Sequence, residues 1–188
     1  MWLTACAIKP EVSETSPVIA NQSLPDAWKL SGKLAVITPE ERKSAYLSWQ
    51  QKNQTFDMAL TTIVGSSVAN MSFDGNIAIL EADGKKWQDV SPDKLIENTT
   101  SWSIPVSSIA VWMSGQSEPR DSVSFYENGL IKSLIPSCIG CEVWQITYNS
   151  YRQYSVAKHN LVLPHKLTLK NSSKQTQVII RIDKWQAE

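Results

Sequence analysis

From about Trp28 onward, apolar and polar side chains alternate with a period of two, and short turn dipeptides interrupt the pattern. Successive residues of a strand point to opposite faces, so this pattern specifies a sheet with one apolar face, and a 3.6-residue helix cannot satisfy it. In residues 44–50, Ala45, Leu47 and Trp49 share a face, and in the next run Phe56, Met58 and Leu60 do the same. The closing run, 177–182, sets Val178, Ile180 and Ile182 opposite Ile179 and Arg181. Asp74-Gly75, Asp83-Gly84 and Asn128-Gly129 fall between such runs. A type I′ hairpin needs φ > 0 at both central residues, which Asn-Gly and Asp-Gly accept most readily, so successive strands are expected to pair antiparallel.

Two segments depart from the strand pattern. Ser91-Pro92-Asp93 offers a capping hydroxyl, a proline at the first helical position and an acid in the first turn, and leads into Leu95 and Ile96. Residues 106–114 place Ile109, Trp112 and Met113 at i, i+3 and i+4, and Gly115 can take the left-handed position after the helix. Each helix is apolar on one side. The expected architecture is therefore mainly β: a single domain whose curled antiparallel sheet has its concave face covered by two short helices.

A length of 188 residues suits one domain and a tail. The 18 basic and 18 acidic residues cancel and are scattered along the chain, so no phosphate-tracking surface forms and nucleic acid is not expected as a partner. Eight tryptophans suit either a large core or an apolar ligand cavity. Residues 7–25 are polar, carry Pro10, Pro17 and Pro25, and lack periodicity, which fits a disordered tether. Beyond the start, no run approaches the roughly 20 apolar residues of a membrane-spanning helix. The start itself ends in Leu3-Thr4-Ala5-Cys6, which looks like a bacterial lipobox: a branched apolar residue, two small residues, then a lipid-bearing cysteine. On this reading residues 1–5 are residual signal peptide, 6–27 a lipidated tether and 28–188 the folded domain. Only five residues stand where a charged and an apolar signal region belong, so the start is read as trimmed or misassigned, and an incidental cysteine is the alternative.

Few residues invite catalytic chemistry. Cys138-Ile139-Gly140-Cys141 could supply a reactive thiolate or two metal ligands. Its surroundings read as a hairpin tip rather than a helix N-terminus, so a loop-stapling disulfide, free thiols and a reactive pair all stay open. His159 and His165 follow loosely like finger ligands. However, 17 residues separate Cys141 from His159 and Pro164 breaks the helix such ligands need, so no metal site is expected. Both histidines read as ordinary loop or strand-edge residues. No G-x-S-x-G elbow or phosphate loop occurs, and neither catalysis nor a cofactor is expected. Thr62-Ile63-Val64-Gly65 puts two apolar residues at a turn, where polar ones belong; the pair either folds back on the core or projects toward a membrane or client.

Several segments in order resemble the LolB family over roughly residues 28–185. Ser31-Gly32-Lys33-Leu34-Ala35-Val36 looks like its first strand and Ser48-Trp49-Gln50-Gln51 like its second. Residues 60–66 are similar to a strand and loop in which an Asn-Pro-Leu-Gly turn projects a leucine. Trp102-Ser103-Ile104-Pro105, Ile109, Trp112-Met113 and Gly115 resemble its central signature, and Trp144-Gln145-Ile146-Thr147-Tyr148, Leu163-Pro164 and Trp185 complete the order. The resemblance implies an unclosed antiparallel half-barrel of LolA/LolB type with an apolar cavity for acyl chains. It implies a receptor that is itself lipid-anchored, at Cys6, to the outer membrane and faces the periplasm. Such a receptor takes client lipoproteins from a soluble LolA-type carrier and releases them into that membrane, working as a monomer. Ala7 after the cysteine resembles the outer-membrane sorting signal. Trp49, Met58, Leu60, Trp112, Met113, Trp144 and Ile146 are the candidate cavity residues, each of which could equally be plain core. By position Val64 replaces the family's exposed leucine and Ile63 its proline: one methylene, about 0.8 kcal/mol, is lost and the isoleucine restores apolar area. The Cys138/Cys141 pair lies outside the family pattern.

Overall fold

A computed structural model describes residues 24–100, 102–137 and 144–187. Its strands follow the alternation: β1 (Ala27–Ile37), β2 (Arg42–Lys52), β3 (Thr55–Thr61), β4 (Ser67–Phe73), β5 (Ala78–Ala82) and β6 (Lys85–Asp89). Two helices intervene, α1 (Pro92–Thr100) and α2 (Val106–Met113). The strands resume with β7 (Ser122–Phe125), β8 (Ile131–Ile135), β9 (Trp144–Val156), β10 (His159–Asn171) and β11 (Thr176–Ala187). All pair antiparallel in one sheet of order β6-β5-β4-β3-β2-β1-β11-β10-β9-β8-β7. The chain thus starts mid-sheet, meanders to one edge, crosses by the helices to the other edge and returns to pair β11 with β1. Its edges, β6 and β7, stay apart, so the barrel is half closed.

The turns only partly obey dipeptide chemistry. Asp83-Gly84 forms the expected two-residue turn, with φ of 50° and 71°. At Asp74-Gly75 only the glycine is left-handed, and the Asp74 carboxylate accepts the N–H groups of Asn76 and Ile77, building a longer turn from the side chain. Those two bonds stabilise the ionised form and hold its pKa below the usual carboxylate value. Asn128-Gly129 likewise lies in a wider loop closed by Tyr126 N–H to Leu130 O. By contrast Ala157-Lys158 takes left-handed φ at both residues, 49° and 67°, without glycine. Pairing along the 13-residue strands β9 and β10 imposes that turn on residues that would not choose it.

A glycine is needed where β1 meets β11. The register shifts at Ser31/Gly32, and a Cβ on Gly32 would overlap the Arg181 carbonyl oxygen. A second shift on β10, at Pro164/Lys166, corrects the reading of His165 as an ordinary edge residue. Proline cannot donate to the ladder, and Leu163, Pro164 and His165 are all buried in succession. There the imidazole Nδ1 donates to the Ile182 carbonyl at 2.7 Å, which also accepts the Tyr154 hydroxyl at 2.8 Å. His159, the first residue of β10, is exposed.

Candidate lipid-binding site

Inward residues of neighbouring strands align in apolar rungs. Trp185, Leu30, Trp49, Met58, Met71, Leu80 and Trp87 stand side by side across seven strands. Val36, Val178, Leu169, Ile146, Leu134 and Val123 form a rung across the other half. The period of two fixes which residues face inward; the register decides which of them become neighbours.

The helices cover this inner face. Ser91 Oγ accepts the Lys94 N–H at the start of α1, which packs on β5 and β6 through Leu95 and Ile96. Val106, Ile109, Trp112 and Met113 form the buried side of α2. Its end is a Schellman turn: Gly115 N–H donates to Trp112 O and Gln116 N–H to Val111 O, with Gly115 at φ +75°. A Cβ there would also crowd the Pro164 ring at 3.1 Å. Polar ties hold the cover. Asp93 Oδ1 accepts both the N–H and the hydroxyl of Ser107, joining α1 to α2, and the buried Tyr148 hydroxyl donates to Trp112 O at 3.0 Å, joining α2 to β9. Burial, with the Tyr151 and Asp121 charges adding to it, pushes the Tyr148 phenol up, so it stays a neutral donor.

The seven candidate cavity residues come together. Trp49, Met58, Trp112, Met113, Trp144 and Ile146 are buried in one apolar cluster, and Leu60 packs against its edge. Sequence reasoning missed other members, Met71 and Leu80 among them, although Met71 already stands among alternating residues of 67–73. Apart from the polar tips of aromatic rings such as Tyr148, the buried polar side chains among the described residues are Ser114, His165, Thr168, Asn171 and Thr176, none of them carrying a permanent charge. Such an interior can solvate hydrocarbon and has no means of holding an ion. The clefts at the surface are different. One of about 450 Å³ lies on the outer face among Ser48, Asp57, Asn70 and Lys86, and one of about 660 Å³ lies near Phe125, Tyr126 and Tyr151.

Ile63 and Val64 do not fold back on the core: each is 82% exposed at the tip of the β3–β4 connection. Thr62 N–H to Ser66 O, Gly65 N–H to Thr62 O and Ser66 N–H to Thr62 Oγ1 close the loop, so the apolar pair sits on a fixed base. A register shift beside it leaves Val68 as the extra residue of a bulge, 42% exposed on the same hairpin. Cys6, Cys138 and Cys141 lie outside the described residues.

The family model for the outer membrane lipoprotein LolB matches residues 26–185. The chain belongs to the LolB family. A LolB from Shewanella oneidensis is 30% identical over 188 residues, covering 100% of this chain and 85% of the relative. One from Shewanella denitrificans is 36% identical over 162 residues, covering 86% and 76%. Both are named outer-membrane lipoproteins, and LolB is a family of lipoprotein-localisation proteins, not of enzymes. Among solved structures, a LolA superfamily protein from Nitrosomonas europaea aligns with TM-score 0.57 at 6% identity, over 87% of this chain and 86% of that one. A DUF1329 family protein from Desulfovibrio piger aligns with TM-score 0.54 at 7% identity, over 90% and 88%. These two likenesses carry the LolA-like fold.

Against that fold the LolB motifs acquire reasons. Ser31-Gly32 is the β1 bulge, Trp102 to Pro105 is the connection between the helices, and Gly115 ends α2 against β10.

Proposed function

We propose that this chain is an outer-membrane receptor that takes lipoproteins from a soluble LolA-type carrier in the periplasm and passes them to the membrane. The observation that supports it is one uncharged apolar body lying between an unclosed sheet and two short helices tied through Asp93 and Tyr148. The helices part, acyl chains replace side-chain contacts between Trp49, Met58, Leu60, Trp112, Met113, Trp144 and Ile146, and hydrophobic transfer of about 0.8 kcal/mol per CH₂ supplies the affinity. Direction needs no nucleotide, since each tenfold preference of one site over the next takes about 1.4 kcal/mol. The receptor is itself held by lipid on Cys6, faces the periplasm, acts as a monomer, and touches the bilayer through Ile63 and Val64.

The test is depletion in the native host, with client lipoproteins followed by fractionation. Accumulation on the periplasmic carrier is expected; unchanged sorting overturns the proposal. A photoreactive acyl probe separates a receptor from a lipoprotein whose core is permanently filled: labelling at Met113 or Ile146 is expected, and a core that excludes the probe defeats the cavity assignment.

A further inference from the structure

The folded domain begins at the end of the sheet opposite the exposed loop. Ala27 lies beside Lys52 on β2, next to the β2–β3 turn. Thr61, where the loop departs, lies beside Tyr46, which lies beside Lys33 of β1. From Ala27 to Lys33 is about 20 Å along the strand, the loop adds about 7 Å, and two strand spacings add about 10 Å sideways. Val64 is therefore roughly 30 Å from Ala27, where β1 begins.

We infer that the segment between Cys6 and Ala27 has a required minimum length, because it must run back along the half-barrel for the lipid on Cys6 and the Ile63–Val64 loop to enter the same bilayer. The inference rests on the proposed anchor and membrane contact. About 20 residues separate Cys6 from Ala27. A chain of that length reaches about 70 Å when extended and, as a random coil, spans about 25 Å r.m.s.. The second value nearly matches the 30 Å to be covered, the condition under which a tether raises effective concentration most. Below about 9 residues, even an extended chain falls short. Length is the property required, so a Gly/Ser segment of equal length serves as well as the native one.

The experiment uses the full-length lipidated protein in dilute phosphatidylethanolamine–phosphatidylglycerol vesicles, at about one molecule per vesicle. A Val64→Cys substitution carries an environment-sensitive fluorophore in a Cys138→Ser, Cys141→Ser background. The parent and a Gly/Ser replacement of residues 8–23, which spares Leu24 and its packing on the core, should both show the blue shift of a bilayer-embedded probe. Deletion of residues 8–21 should abolish the shift while the protein still floats with the vesicles and melts at the parent's temperature. A shift that survives the deletion overturns the length requirement. Loss of the shift in the Gly/Ser replacement also overturns it, since sequence rather than length would then matter. A parent that floats without a shift removes the loop contact, and one that fails to float removes the anchor; either result takes the inference with it, each by a distinct signal.

Discussion

Replacing both Ile63 and Val64 with serine should separate membrane contact from folding. Complete burial of one such side chain is worth about 1.5–3 kcal/mol. With 82% of each exposed, nearly all of that is unspent in the folded protein. Inserting the pair would therefore contribute roughly 2.5–5 kcal/mol, which is a factor of about 60 to 4,000 in partitioning. Stability should hardly change, because the loop is closed by Thr62, Gly65 and Ser66 rather than by the two apolar side chains. The assay is vesicle flotation of a Cys6→Ala background, in which no lipid anchor masks the loop, alongside thermal melting. A serine pair that floats like its parent would refute the membrane contact. A melting temperature lowered by several degrees would show that the pair carries packing that its exposure does not suggest.

Other perturbations address the cover and the core. Asp93→Ala removes both bonds to Ser107, so a loss of about 1 kcal/mol and faster entry of an acyl probe in stopped-flow fluorescence are expected; unchanged entry would mean this tie does not limit opening. Gly115→Ala forces a side chain into φ +75° and against Pro164, and chemical denaturation should register about 1–3 kcal/mol of destabilisation; no change would refute the strain. The raised Tyr148 phenol contributes stability present below the unfolded value near 10, and this is lost as pH rises above it, because the unfolded chain releases the proton first. Stability should therefore fall above pH 10 by up to about 1.4 kcal/mol per pH unit from this group, and Tyr148→Phe should flatten that slope; an identical slope in the variant would refute the assignment.

Local signals were legible wherever a residue's role depends on its near neighbours in sequence. The alternation in 44–50 and 177–182 marked the inward residues, Ser91-Pro92-Asp93 marked the start of α1, and Gly115 marked the end of α2. Trp49, Met58 and Ile146 were legible as residues of apolar faces, but not as neighbours in one apolar body, since period two assigns a face and not a neighbour.

Long-range pairing decided the rest. The pairing of β9 with β10 drives Ala157-Lys158 into a turn neither residue favours, while Asp74 and Asn128 use wider loops than their dipeptides promise. A bulge at Pro164 buries His165, and a close approach of β11 to β1 excludes any side chain at Gly32. The separation of Ala27 from Val64 is likewise a matter of register across three strands. The sequence by itself determined which residues form strands and helices and which faces are apolar, because those follow from backbone geometry repeated every few residues. Only the tertiary structure decided which apolar residues meet, which turns are strained and which end of the sheet carries the loop, because such facts arise from contacts between residues far apart in the chain.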